Sequence, residues 1–361
     1  MTDRHIVIQR IMERSVDMLL RMDQGDDLII HQHMNSMENS IKFGNSIQRS
    51  RCFSDIVYVM EFILQILCHD ITKTLHELFY ALKPRIKTQE YSNRLVWKLA
   101  NILGVSRRSL GIVASSKGLV GGCIVVTRKQ TLPSGAEVVN TMDGCTMLPS
   151  HNMHITYEWL ERDENGWTSS NVKVNTTTTA KVILVIEKEG IFQHLINARF
   201  FEKYPCILVT GKGYPDIATR ALVRSLHKEL DLPVVGICDY NPHGIQVLGT
   251  YYSSNLLGND GGNRYSVPIR WLGLWPSHIS LIEKFLPGHV FQSLTNGDMI
   301  LLDTSIHGKD YLMDEDCSKI IDMKTRGYKL ELETLHQLDM DLISSLVLQM
   351  LKENYQSNAS A

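Results

Sequence analysis

Residues 181–189 read Lys-Val-Ile-Leu-Val-Ile-Glu-Lys-Glu, a short unbroken apolar run that ends abruptly in charge. A run this short, without alternation, predicts a strand buried on both faces. Two runs of the same kind follow at 206–210 and 233–238, and the intervening stretches 190–201 and 216–230 carry helical patterning. Strands alternating with helices predict an α/β unit with a parallel sheet covered on both faces. In such sheets ligands gather at the carboxyl ends of strands, which is where Glu187 and Asp239 fall, with Asn241 two residues further on.

Upstream, the segment Thr74, Leu75, His76, Glu77, Leu78, Phe79, Tyr80 places a tyrosine on a helix. Thr74 is its expected N-cap, and Glu77 three residues on has capping-box spacing. This helix, 74–82, lies between an apolar one at 53–67 and a third at 91–103 that ends at Gly104. A basic turn with Arg107 and Arg108 comes next, then β-branched strands at 110–114 and 123–127 separated by Lys117 and Gly118. Three helices followed by a β-wing predict a winged helix, whose third helix and adjoining basic residues lie against DNA.

A tyrosine on a helix together with acidic groups at two strand ends suggests a phenolic nucleophile and a magnesium site acting on a phosphodiester. A phenol is only about one part in a thousand ionised at pH 7, a deficit of roughly 4 kcal/mol against the phenolate. Something must take or offset that proton. His76 lies four residues before Tyr80, on the same helical face, and reads either as that group or as a surface histidine beside DNA.

The 361 residues suffice for two domains with separate cores. Their 43% apolar and 21% charged content is that of a globular chain rather than a disordered one. A formal charge of −2 excludes a binder that works by bulk positive charge, so any nucleic-acid contact rests on a local basic surface. Seven cysteines form no CxxC pair and no zinc-ligand spacing, which predicts reduced, mostly buried thiols. The first residues lack the order of a signal peptide, and no apolar run reaches the roughly 18 residues that span a bilayer, so an intracellular chain without membrane contact is expected. Residues 1–50 read as an attached helical extension with one broad apolar face, destined either for the rest of the chain or for a partner protein. The polar stretch 161–180, with four threonines in a row, is the expected linker, and the Gly-, Asn- and Ser-rich tract 253–263 predicts a mobile loop. Gly211 and Lys212 are not a nucleotide-binding loop, because Cys206 stands where the first glycine belongs and Gly213 follows the lysine.

Four blocks, in order, resemble one family. They are Ser106 to Leu110 with Lys117, Gly118, Leu119 and Val120; Val185 to Glu189; Gly211 to Asp216 with Thr219 and Arg220; and Asp239 to Gly244. Trp271 to Leu274 with Pro276 and Ser277, then Lys329 to Leu335, are similar to its C-terminal half. The family contains the A-type chain of topoisomerase VI and the eukaryotic proteins that make meiotic double-strand breaks. The resemblance covers roughly residues 53–345 and implies a catabolite-activator-like winged helix with an active-site tyrosine at 51–160, then a Toprim domain with a parallel sheet at 181–361.

Counting back without a gap from Ser106 puts Tyr80 at the family's nucleophile, with His76 where the family motif has arginine. The resemblance further implies a Mg²⁺ site of Glu187, Asp239 and Asn241, the last standing where most members have a further aspartate. Candidates to touch DNA phosphates are Arg107, Arg108, Lys117, Lys212, Arg220 and His243. It implies a 5′-phosphotyrosyl link to double-stranded DNA, a homodimer or a heterodimer with a paralogue, a separate B-type ATPase-like subunit, and a nuclear location. Three readings follow: a meiotic DNA-cleaving transesterase, the A-type chain of a type IIB topoisomerase, or an attenuated paralogue that binds DNA or assembles complexes. A water-using Toprim nuclease fits less well with the upstream tyrosine.

Overall fold

The computed structural model describes residues 2–24, 29–30, 41–42, 47–69, 71–105, 107–113, 117–131, 137–144, 153–155, 172–252, 265–307, 316–337 and 340–359. Ser106, the side chain of Arg108, residues 161–171 of the expected linker and the tract 253–263 lie outside them. The chain packs as two compact units that part between Ser115 and Ser116, well ahead of the expected 161–180 boundary.

The first unit is built on the helices Thr2–Gln24, Ile47–Cys68, Leu75–Leu82 and Gln89–Leu103. Gly104 ends the last of these in the left-handed region at φ 63°, which a residue without Cβ adopts at little cost. The first helix buries Val7, Ile11 and Met18 in this unit's core, and Arg10 Nη1 donates to the Leu103 carbonyl at 2.8 Å. Of its two expected destinations it takes its own chain, while Met12, Val16, Leu19 and Leu20 stay exposed. Two-residue strands of this unit, Lys73–Thr74 and Ile112–Val113, pair in parallel.

Helix Ile47–Cys68 buries the carboxylate of Asp55. Arg85 Nε donates to its Oδ1 at 2.6 Å and the Tyr91 hydroxyl to its Oδ2 at 3.0 Å, and Arg85 also bonds Ser54 Oγ. Burial, then the hydrogen bond to Asp55 and its charge, pushes the Tyr91 phenol above its ordinary value. The tie fastens the turn after Leu75–Leu82 to the neighbouring helix. Arg85→Ala leaves a buried carboxylate short of its closest cation. Because the arginine is partly exposed, the expected loss is about 2–3 kcal/mol rather than the full buried-pair value. Urea unfolding measures it, and a loss within about 0.5 kcal/mol, the range of neutral surface changes, would show the tie to be dispensable.

The second unit centres on a six-stranded sheet. Across it the order is Ile269–Gly273, Val234–Ile237, Ile183–Ile186, Ile207–Thr210, Leu119–Gly122 and Met153–His154. The first four are parallel; Leu119–Gly122 pairs antiparallel with Ile207–Thr210, and Met153–His154 antiparallel with Leu119–Gly122. Helices Glu189–Asn197 and Ile217–Leu230 connect the central strands, and each strand falls within two residues of the apolar run that predicts it.

The strands after the third helix depart from a wing. Leu119–Gly122 is buried at every residue and lies along Ile207–Thr210. A strand with both faces covered belongs inside a sheet, not on an exposed hairpin. Val125–Thr131 forms a separate antiparallel sheet with Glu137–Asp143 and Val172–Thr177. The last strand arises within the expected linker, where β-branched threonines favour extended pairing.

Candidate active-site tyrosine and acidic pocket

Thr74 caps helix Leu75–Leu82 as its sequence predicts. Its hydroxyl accepts from the Glu77 N–H at 3.1 Å, and Glu77 Oε2 accepts from the Thr74 N–H at 2.7 Å. Leu78 and Leu82, four residues apart, are fully buried on the inner face. Tyr80 and His76 therefore point outward, since two residues of helix rotate the chain about 200°. Tyr80 is 55% exposed, so its side chain is open to a ligand. The His76 ring meets it edge-on at 4.8 Å between centroids, and Lys83 Nζ lies 5.4 Å above its face. Lys83 escaped the sequence reading, although its place three residues after Tyr80 is helical-neighbour spacing.

The acidic pocket belongs to the second unit and follows from strand register. Ile186 pairs with Ile237, and the Glu187 N–H donates to the Ile237 carbonyl at 3.0 Å, so the residues that follow two adjacent parallel strands emerge together. Glu187 Oε2 accepts from the Asp239 N–H at 2.9 Å, and Asp239 Oδ1 accepts from the Leu332 N–H at 2.8 Å. Each carboxylate thus has one oxygen fixed by a backbone amide. Both are buried, and burial, followed by the Asp239 charge, pushes the Glu187 carboxyl up to about 7. Gly244 closes the pocket, where a Cβ would stand 2.6 Å from the Asp239 carbonyl and 3.0 Å from Glu187 Oε2.

Asn241 is beside the pair but occupied in a second task. Its Oδ1 accepts from the Gly244 N–H at 2.7 Å, capping helix Pro242–Tyr252, and its Nδ2 donates to Asp239 Oδ2 at 3.4 Å. Lys188 Nζ, which the sequence reading did not single out, lies 3.0 Å from Asp239 Oδ2 and 4.0 Å from Glu187 Oε1. Burial works to lower the Lys188 pKa, but Asp239 and then Glu187 outweigh it and leave it raised. Its signal was its place beside Glu187, at the same end of the sheet. Among the described residues no group of three or more His, Cys, Asp or Glu is arranged for a metal, so the candidate oxygen donors are this carboxylate pair and the Asn241 amide.

The candidate phosphate contacts separate. Lys117 falls in the second unit rather than with the helices before it, its N–H donating to Asp216 Oδ2 at 2.8 Å and its Nζ to the Lys212 carbonyl at 3.3 Å. Lys212 adopts φ 53° and pairs with Glu189 at 2.9 Å. His243 is exposed on the first turn of Pro242–Tyr252, and Arg107 is half-buried on the short helix Arg107–Leu110. Arg220 is 1% exposed, and burial pulls its guanidinium down to about 10. Its side chain faces the interior, so the structure does not present it to a phosphate.

Residues 182–350 match the Toprim domain family of Spo11 and the topoisomerase 6 A-type chain, and residues 51–112 match the family described as "Type IIB DNA topoisomerase". The meiotic recombination protein SPO11-2 of Oryza sativa subsp. japonica is 31% identical over 304 residues, 82% of this chain and 73% of that protein. The human meiotic recombination protein SPO11 is 28% identical over 309 residues, covering 84% and 72%. The A-type chain of DNA topoisomerase 6 from Arabidopsis thaliana is 28% identical over 298 residues, covering 82% and 63%. With two family models matching in sequence and a relative 31% identical over 82% of the chain, the chain belongs to the family of Spo11 and the topoisomerase 6 A-type chain.

Proposed function

We propose that this protein is a DNA-cleaving transesterase of the meiotic type, working in the nucleus on double-stranded DNA. The observation that carries the reading is the outward phenol of Tyr80 on a capped, well-packed helix, the residue to which the sequence resemblance gives the nucleophile's role. Its oxygen attacks the phosphorus, forming the tyrosyl O–P bond as the P–O3′ bond breaks. A 5′-phosphotyrosyl end and a 3′ hydroxyl result, and the phenol's proton ends on the departing oxygen, so neither water nor nucleotide is consumed. His76 takes that proton in its neutral form, and Lys83 offsets charge as the phenolate develops.

The pocket fits a divalent cation. Its donors are hard oxygens, held in place by backbone amides, and burial followed by the neighbouring Asp239 charge raises the Glu187 pKa. Glu187 and Asp239 would hold Mg²⁺ with Asn241 alongside, and the ion would neutralise charge on the phosphate oxygens. Lys117, Lys212, His243 and the basic turn at Arg107 and Arg108 are the proposed phosphate contacts, and the helices of the first unit would serve as a winged helix. One tyrosine cuts one strand, so a double-strand break needs two copies about a two-fold axis, as a homodimer or with a paralogue. The exposed face of Thr2–Gln24 is the proposed seat of a B-type ATPase-like subunit.

The test is covalent attachment. The dimer, with its B-type partner and Mg²⁺, is incubated with end-labelled duplex DNA, and protein-linked 5′ ends are sought after denaturation. Their absence, with binding retained, would replace this reading with a DNA-binding assembly module.

Asn241→Asp should tighten Mg²⁺ binding by about tenfold, the factor that corresponds to about 1.4 kcal/mol. Aspartate caps a helix as well as asparagine does, so the Gly244 bond survives while a third negative charge joins the pocket. Calorimetric affinity that is unchanged or weaker would contradict the role given to Asn241.

A further inference from the structure

Each pocket carboxylate has one oxygen engaged by a backbone N–H, Glu187 Oε2 by Asp239 and Asp239 Oδ1 by Leu332. The other two oxygens, Glu187 Oε1 and Asp239 Oδ2, both face Lys188 Nζ, at 4.0 and 3.0 Å, and Asp239 Oδ2 also accepts a longer bond from Asn241 Nδ2 at 3.4 Å. The ammonium therefore stands where the two remaining oxygens converge. A hard dication seeks these same oxygens, and it cannot share them with a neighbouring positive charge at little cost.

We propose that Lys188 is an internal counter-cation that competes with the divalent ion for Glu187 Oε1 and Asp239 Oδ2, so that metal entry requires its ammonium to swing out. Lys188 can make that movement. Its side chain is 27% exposed, whereas that of Asp239 is 3% exposed and held by a backbone bond. A lysine stem is flexible, with rotatable donors that water readily satisfies. The lysine also confers a threshold, because an ion that binds the pair weakly leaves the ammonium in place. The proposal rests on the metal site of the preceding subsection, and the two fail separately.

The experiment is a calorimetric Mg²⁺ titration of the full chain as wild type, Lys188→Gln, Lys188→Arg and Glu187→Gln. Competition predicts that Lys188→Gln binds about tenfold more tightly than wild type, equivalent to about 1.4 kcal/mol. Lys188→Arg, which keeps the charge, should stay near wild type, and Glu187→Gln should lose binding. Should Lys188→Gln bind with equal or lower affinity while Glu187→Gln loses it, the competition is overturned and the metal site stands. If neither wild type nor Lys188→Gln binds, the metal site falls and the competition with it. A second readout avoids any folding defect of the variants. In wild-type protein carrying ¹³C-dimethylated lysines, the Lys188 resonance, identified by its loss in Lys188→Arg, should shift as Mg²⁺ is added. A resonance that stays fixed while calorimetry reports binding would also overturn the proposal.

Discussion

Tyr80→Phe should abolish the covalent protein–DNA product while leaving DNA binding and thermal stability near wild type. The change removes one oxygen from a ring that is 55% exposed, so the fold loses little. Phenylalanine keeps the edge-on contact with His76 at 4.8 Å and the tilted one with Phe79 at 5.7 Å. The inner face of the helix, Leu78 and Leu82, is untouched. Loss of activity with unchanged binding therefore reports on chemistry rather than on folding. The measurement is the label retained on denatured protein from end-labelled duplex, beside a binding isotherm on the same preparation. A product that persists in the variant would reassign the nucleophile, and a collapse of binding would make Tyr80 a structural residue.

The largest effect on stability is expected from Gly122→Ala. Gly122 adopts φ +84°, a conformation that costs an L-residue about 1–2 kcal/mol. An added Cβ would also stand 2.6 Å from the Cys206 carbonyl oxygen, the same oxygen that accepts from the Cys123 N–H at 2.9 Å. Backbone cannot yield there without opening the antiparallel pairing of Leu119–Gly122 with Ile207–Thr210. Strain and close contact together should cost about 3–5 kcal/mol, lowering the melting temperature of a unit this size by about 10 °C. Gly213→Ala is the control. Its φ of +86° carries the same strain, but a Cβ there meets nothing within 4 Å, so the cost should be only about 1–2 kcal/mol. Equal effects at the two positions would show that conformation alone, and not the sheet contact, explains the glycine.

Lys188, if it competes as proposed, changes how the acidic pocket is understood. A pair of buried carboxylates with no cation would be strained by its own repulsion, and a tethered ammonium relieves that strain at a fixed position. The same closeness makes the lysine an obstacle to metal, so relief of strain and metal affinity oppose one another in this site.

The chain's own residues announced the local elements. The run at 181–186, the helix 74–82 with its Thr74 cap, and the stop at Gly104 were legible because strand burial, capping and left-handed termination depend on neighbours a few residues away. The alternation of strands and helices also conveyed the parallel sheet, and Glu187 and Asp239 could be set at strand ends. Tertiary structure alone decided the rest. It chose Ile183–Ile186 and Val234–Ile237 as neighbours in register, which brings the two carboxylates together. It placed Leu119–Gly122, which lies between the two expected wing strands, in the sheet, drew Lys117 to Lys212, and sank Arg220 into the core. It also turned Lys188 onto Asp239. The reason is physical: local patterning specifies which face of an element is apolar, but which element covers that face is settled by packing between segments distant in sequence, and each polar side chain then takes the partner that packing leaves within its reach.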